Sequence, residues 1–134
     1  MRHSIFKQLT VAQYDQLIKN GSPDNWGKDH IPVVKLFMPG TGHTWLLTEI
    51  DPEETNIAFG LCDLGMGFPE LGYVDLDEIG SVKNRLGLGI ERDTSFEGEY
   101  PMSVYADAAR ECRQITEDDA RLKRYVNKPC PKIS

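Results

Sequence analysis

The chain has 134 residues, 40% hydrophobic and 27% charged, with a formal net charge of -6; that length and balance describe one folded domain with its own core and exclude wholesale disorder. No apolar run approaches the roughly 20 residues of a membrane span, and Met1 to Gln8 lacks the basic-then-apolar layout of a signal peptide, so a cytoplasmic protein without membrane contact is expected. The acidity argues against direct nucleic-acid binding, because the phosphate backbone rewards an excess of Lys and Arg.

Thr10-Val11-Ala12-Gln13 has the form of a capping box, and Val11, Tyr14, Leu17 and Ile18 follow at helical spacing until Asn20-Gly21 stops them. Ser22 to His30 is rich in turn formers and reads as a loop; Trp26 within it is either a plug folded onto the core or an exposed anchor. Three β-like runs follow: Val33 to Met38, His43 to Ile50, and Asn56 to Leu61, the last with Ile57, Phe59 and Leu61 on one face and Ala58 and Gly60 on the other. The turns between them are too short for parallel crossovers, so they form an antiparallel meander. Gly60 inside the third run marks a bulge or a close backbone approach.

The glycines of Gly65-Met66-Gly67-Phe68-Pro69 do not make a phosphate loop, since Pro69 bars a helix interior there and no Lys-Ser/Thr pair follows. They lead into a short strand at Leu71 to Val74. Asp75, with Asp77 and Glu78 behind it, caps a helix expected to bury Leu76, Ile79 and Val82 and to extend toward Leu86. Gly87-Leu88-Gly89 ends it, and Ile90 to Phe96 is extended. Pro101 suits the first turn of a helix carrying Val104, Ala108, Cys112 and Ile115; Thr116 caps a second one flanked by Leu122 and Tyr125. Pro129-Cys130-Pro131 reads as a loose tail. The expected fold class is α+β: an antiparallel sheet of four to five strands with an N-terminal helix, a short mid-chain helix and two C-terminal helices. Residues 1–100 form its core and 101–134 a helical extension packed on the same domain.

Charge is unevenly placed. Residues 1–48 and 100–134 each carry a small basic surplus, while residues 49–99 hold thirteen Asp/Glu against three Lys/Arg. Such a centre is either a solubilising face or a surface aimed at a basic partner. Cys62, Cys112 and Cys130 have no C-x-x-C spacing, and His3, His30 and His43 are scattered, so no disulfide framework, no metal and no cofactor is expected. His30 and His43 with Cys62 or Asp63 are the remaining combination for a metal, though lone histidines are more often surface or hydrogen-bonded residues; His43 with Cys62 is the one for a nucleophile, and nothing local supports an activated thiolate.

The segments Lys35-Leu36-Phe37, Thr44-Trp45 with Thr48-Glu49-Ile50-Asp51, Phe59-Gly60-Leu61, Glu70-Leu71-Gly72-Tyr73, and Gly87-Leu88-Gly89-Ile90-Glu91-Arg92-Asp93 with Phe96 together resemble a family of short bacterial proteins of unknown function. Such proteins are carried on plasmids, phages and integrative elements. The resemblance covers about residues 9–97 and implies a setting inside bacterial cells, with no established activity. The family's proteins typically stop soon after the last Phe, so the helices after Pro101 stand outside it on this reading.

The polar members of that signature and Tyr73 supply the candidate binding residues: Glu49, Asp51, Glu70, Tyr73, Glu91, Arg92 and Asp93. Two carboxylates and Arg92 in one cleft would suit acid–base work or a cation. Alternatively Arg92 pairs with Glu49 or Glu70 across strands while Glu91 or Asp93 closes a turn. Trp45 and Tyr73 fit a core better than a stacking platform, given their acidic neighbours. Two functions are carried forward. One is an accessory protein of a mobile element that binds another protein, in its sharpest form a nucleic-acid-binding host protein such as a defence nuclease. The other is a small metal-dependent hydrolase or nucleic-acid enzyme using clustered carboxylates.

Overall fold

The computed structural model describes residues 4–25 and 27–126. Trp26 and the tail beyond Val126, for which expectations were stated, lie outside them. Helix α1 spans Ser4–Gln8 and α2 spans Val11–Asn20. The capping box at the start of α2 is present: Gln13 N–H donates to Thr10 Oγ1 and Thr10 N–H donates to Gln13 Oε1, both at 3.0 Å. Strands β1 (Val34–Phe37), β2 (His43–Ile50), β3 (Ile57–Leu64) and β4 (Glu70–Asp75) form the expected antiparallel meander. A short β5 (Glu91–Arg92) returns beside β1, so the order across the sheet is β4-β3-β2-β1-β5. Helix α3 (Leu76–Gly80) follows β4; α4 (Met102–Cys112) and α5 (Asp119–Lys123) come after β5.

Both faces of the sheet are covered. Alternation along β2 sends Trp45 and Leu47 to one side, where they pack with Ile5, Leu17, Leu36, Leu76 and Ile79. Leu46 points to the other side, joining Leu61, Val104, Tyr105, Ala108 and Leu122. Thus α1, α2 and α3 cover one face, and α4 and α5 the other. Small residues let α4 lie close: Ala108 and Ala109 are fully buried. Its contact with the sheet centres on Leu46 and Leu61.

Three expectations are corrected. The helix after Asp75 ends at Gly80, and Val82 and Leu86 are exposed instead of buried. Asn84 is the reason: its Oδ1 accepts from Leu86 and Leu88 N–H and its Nδ2 donates to Pro39 O, which folds residues 83–89 into a loop against the β1–β2 turn. Ile115 lies past the end of α4, which closes at Arg113 in a left-handed conformation (φ 63°). Thr116 accepts from Asp118 N–H in a local turn, and α5 starts only after Asp118.

Gly60 meets the second half of its expectation. It sits opposite Leu47, and a Cβ there would lie 1.9 Å from Leu46 O. The bulge is on the facing strand, where the register shifts between Leu47 and Glu49. Asn20, buried at the end of α2, donates through Nδ2 to Thr48 O at 2.9 Å and pins the bulge. Its consequence is directional. Without the extra residue Glu49 would follow Trp45 and Leu47 into the core; with it, Ile50 takes that place and Glu49 lies opposite Phe59 on the α4 side.

Candidate protein-binding surface

The seven candidate residues do not converge. β4 and β5 are opposite edges of the sheet, so Glu70 and Glu91 are separated by four strand spacings, about 19 Å. Glu49, Asp51 and Tyr73 do come together at the end of the sheet where β2 turns into β3, with Phe59 between them. Tyr73 is 65% exposed and meets Phe59 edge to face at 5.1 Å, so it belongs to the surface and not to the core expected of it. Trp45 is buried in the core, as expected. Glu49, Phe59 and Tyr73 also border a shallow open hollow with Gly27 and Lys28.

Glu70 stands at the other end of β4. It lines a hollow of about 330 Å3 with Phe68, Pro69, Arg110 and Arg113. Arg110 is bound to Asp107 at 2.9 Å, whereas Arg113 and Glu70 have no ion-pair partner among the described residues. The hairpin around this hollow is apolar at its tip, with Leu64, Met66 and Phe68 all exposed.

The β5 residues work within the structure. Arg92 pairs with neither Glu49 nor Glu70. Its Nε donates to Gln8 O at 2.6 Å and its backbone N–H to Gln8 Oε1 at 2.7 Å, stapling α1 to the sheet edge. Asp93 closes a turn, accepting from Ser95 N–H and Oγ at 2.9 and 2.8 Å, and faces Lys35 Nζ at 3.3 Å. Lys35 is also bonded to Glu117, which ties the segment before α5 to β1. Burial pulls the Lys35 ammonium down, but the Glu117 and Asp93 carboxylates outweigh it and its pKa ends above the usual lysine value. Burial raises Asp93, yet the Ser95 bonds and then Lys35 hold it below the usual carboxylate range.

The remaining chemistry is dispersed. Cys62 packs among the α2-side residues, while Asp63, its neighbour on β3, points to the α4 side and accepts from Gly65 and Ile115 N–H, both at 2.9 Å. His43 packs edge to face on Trp45, and His30 Nε2 is 3.0 Å from Asn25 O. Among the described residues no group of three or more His, Cys, Asp and Glu is placed to hold a metal ion. Burial alone pushes the Cys62 thiol up, opposite to what a nucleophile needs.

The feature that linear reading left open is where the acidic centre goes. Asp51, Glu53 and Glu54 of the β2–β3 turn meet Asp75, Asp77 and Glu78 at the β4–α3 junction, held together by Leu76 N–H donating to Asn56 O at 2.7 Å and Asn56 Nδ2 to Asp75 Oδ1 at 3.3 Å. With Glu49, these carboxylates share one end of the sheet. No salt bridge among the described residues reaches Glu53, Glu54 or Glu78, all three exposed, and Asp77 Oδ1 is buried without a hydrogen-bond partner. No helix of the described residues is long and apolar enough to cross a membrane.

Residues 8–116 match the family model described as a protein of unknown function (DUF2958), and the chain belongs to that family. The matched stretch runs past Phe96 and takes in α4, so the helix that seals the second face is part of the family's region and not an addition to it. No curated protein and no solved structure matches the chain.

Proposed function

We propose that this member of the family acts by binding another protein through the acidic end of its sheet, and that the partner's docking site is one that otherwise takes nucleic acid. The gathering of Asp51, Glu53, Glu54, Asp75, Asp77 and Glu78 at one end carries the reading. Glu53, Glu54 and Glu78 are exposed and outside every salt bridge among the described residues, so their charge is open to a basic surface on a partner, which it also steers on approach. Tyr73 and Phe59 beside them supply the aromatic contact that charge alone lacks. A protein that presents such a surface competes with a phosphate backbone for the same Lys and Arg. The resemblance to proteins of plasmids, phages and integrative elements supports a role as an accessory factor against a host defence nuclease.

Capture from a host bacterial lysate followed by competition tests this. A protein retained saturably on the immobilised chain and released by duplex DNA at constant salt is the expected result. Retention of nothing saturable, or retention that DNA does not disturb, contradicts it. The dispersal of Glu49, Glu70 and Glu91 offers no support for the metal-dependent alternative, and calorimetric titration with magnesium, manganese and zinc is expected to give no heat.

A further inference from the structure

We propose that residues 117–126, the segment carrying α5, form a strap that opens as one unit from the α4 side while the sheet and the other helices stay folded. The contrast lies in how the chain is held on the two sides of residue 116. Before it, Ile115 N–H donates to the buried Asp63 carboxylate at 2.9 Å, an anchor inside the fold. After it, Asp118 starts α5 with no side-chain cap bond. The helix is five residues long, little more than one turn, and a turn of that length does not hold without its docking.

The docking is thin. Leu122 is the one fully buried residue of the strap; Tyr125 and Val126 are half-buried beside it and the rest are exposed. Polar contacts ring this plug: Glu117 with Lys35 of β1, Asp119 with the Tyr100 hydroxyl, Arg121 with Cys112 Sγ at 3.3 Å and Arg124 with Glu111 at 3.2 Å. Exposed pairs add little to stability, and the Glu117 link is the firmest because the Lys35 side chain is largely covered. By contrast β2 is paired on both sides, and its Leu46 and Leu47 are fully buried. A segment with few buried apolar groups and solvent-facing bonds opens at a fraction of the global free energy. The cluster that Leu122 joins, with Leu46, Leu61, Val104 and Tyr105, lies inside the family's region, which ends at residue 116; the strap lies beyond it. Opening therefore leaves that region whole and bares an apolar seat that the closed chain hides. The acidic end takes no part in this device.

Amide hydrogen exchange of the full chain across low urea concentrations is the test. The amides of Arg121, Leu122, Arg124, Tyr125 and Val126 each donate within the strap. They are expected to share one opening free energy, to open at least about tenfold more often than the amides of β2 and α4, and to depend only weakly on urea. Leu122→Ala and Glu117→Gln are each expected to speed all five together; Glu117 is exposed, so its variant keeps the test in force even where Leu122→Ala fails to fold. Five amides that share the opening free energy and urea slope of β2 and α4 overturn the proposal, because the segment then opens only with the whole fold. So does a variant that speeds only the amides next to the substitution, which is fraying, or a Glu117→Gln chain whose strap exchanges at the wild-type rate.

Discussion

Replacing Asp63 by Ala removes two charge-assisted backbone bonds at once, to Gly65 and to Ile115. Asp63 is 3% exposed, so both amides would be left poorly solvated, and a loss of about 2–4 kcal/mol is expected in denaturant unfolding. Asp63→Asn keeps an acceptor for one of them and should recover part of that loss. Gly60→Ala belongs to a harsher class. Its methyl would overlap backbone, Leu46 O at 1.9 Å and Leu46 C at 2.9 Å, and no rotamer change relieves that. A loss of about 3 kcal/mol or more, or failure to fold, is expected from a strand forced apart in this way. Of these two residues, Gly60 was legible in the sequence as a close approach, because a glycine inside a strand has few other uses. Asp63 was not. It reads as one more carboxylate of an acidic stretch, and only the return of residue 115 to the end of β3 shows that it serves the interior.

Between elements, the link of Lys35 with Asp93 and Glu117 joins β1, the segment after β5 and the approach to α5. The sign of its pH dependence follows from the shifts. Asp93 is held below its ordinary value of 3.8 when folded, so its contribution is present above that value and is lost as pH falls through the folded pKa. Lys35 is held above its ordinary 10.5, so its contribution is present below that value and is lost as pH rises through the folded pKa. Thermal melts across the acid range should therefore show Asp93→Asn starting lower at neutral pH and falling less steeply on acidification than the wild type. Helix starts were the most readable elements, because Thr10 with Gln13, and Asp75 with its acidic followers, announce their caps locally. The misses have local physics too. Thr116 spends its hydroxyl on a turn rather than a cap, and α1 is five residues long, too short for a period to declare itself. The bulge at Thr48 was invisible for a different reason: it is fixed by Asn20, 28 residues away, and its effect is to turn Glu49 out of the core.

At the scale of the whole molecule, the sheet has two unlike ends. One gathers the carboxylates of the β2–β3 turn and the β4–α3 junction; the other carries the apolar β3–β4 hairpin and the arginines at the end of α4. The charge count by segment predicted an acidic centre, but segments far apart in sequence share an end only because β3 and β4 form a hairpin that returns residue 75 to residue 57. The same hairpin carries Glu70 away to the opposite end, which is why a candidate set assembled from signature residues separates in space. If the acidic end is the working surface, its charge can be reversed without harm to the fold, because Glu53 and Glu54 are exposed and outside every salt bridge among the described residues. The most direct measurement is capture from host lysate by the wild type and by Glu53→Lys/Glu54→Lys, with melting temperatures recorded for both. The account predicts equal melting temperatures and loss of the saturably retained protein in the variant; equal retention by the two chains would contradict it.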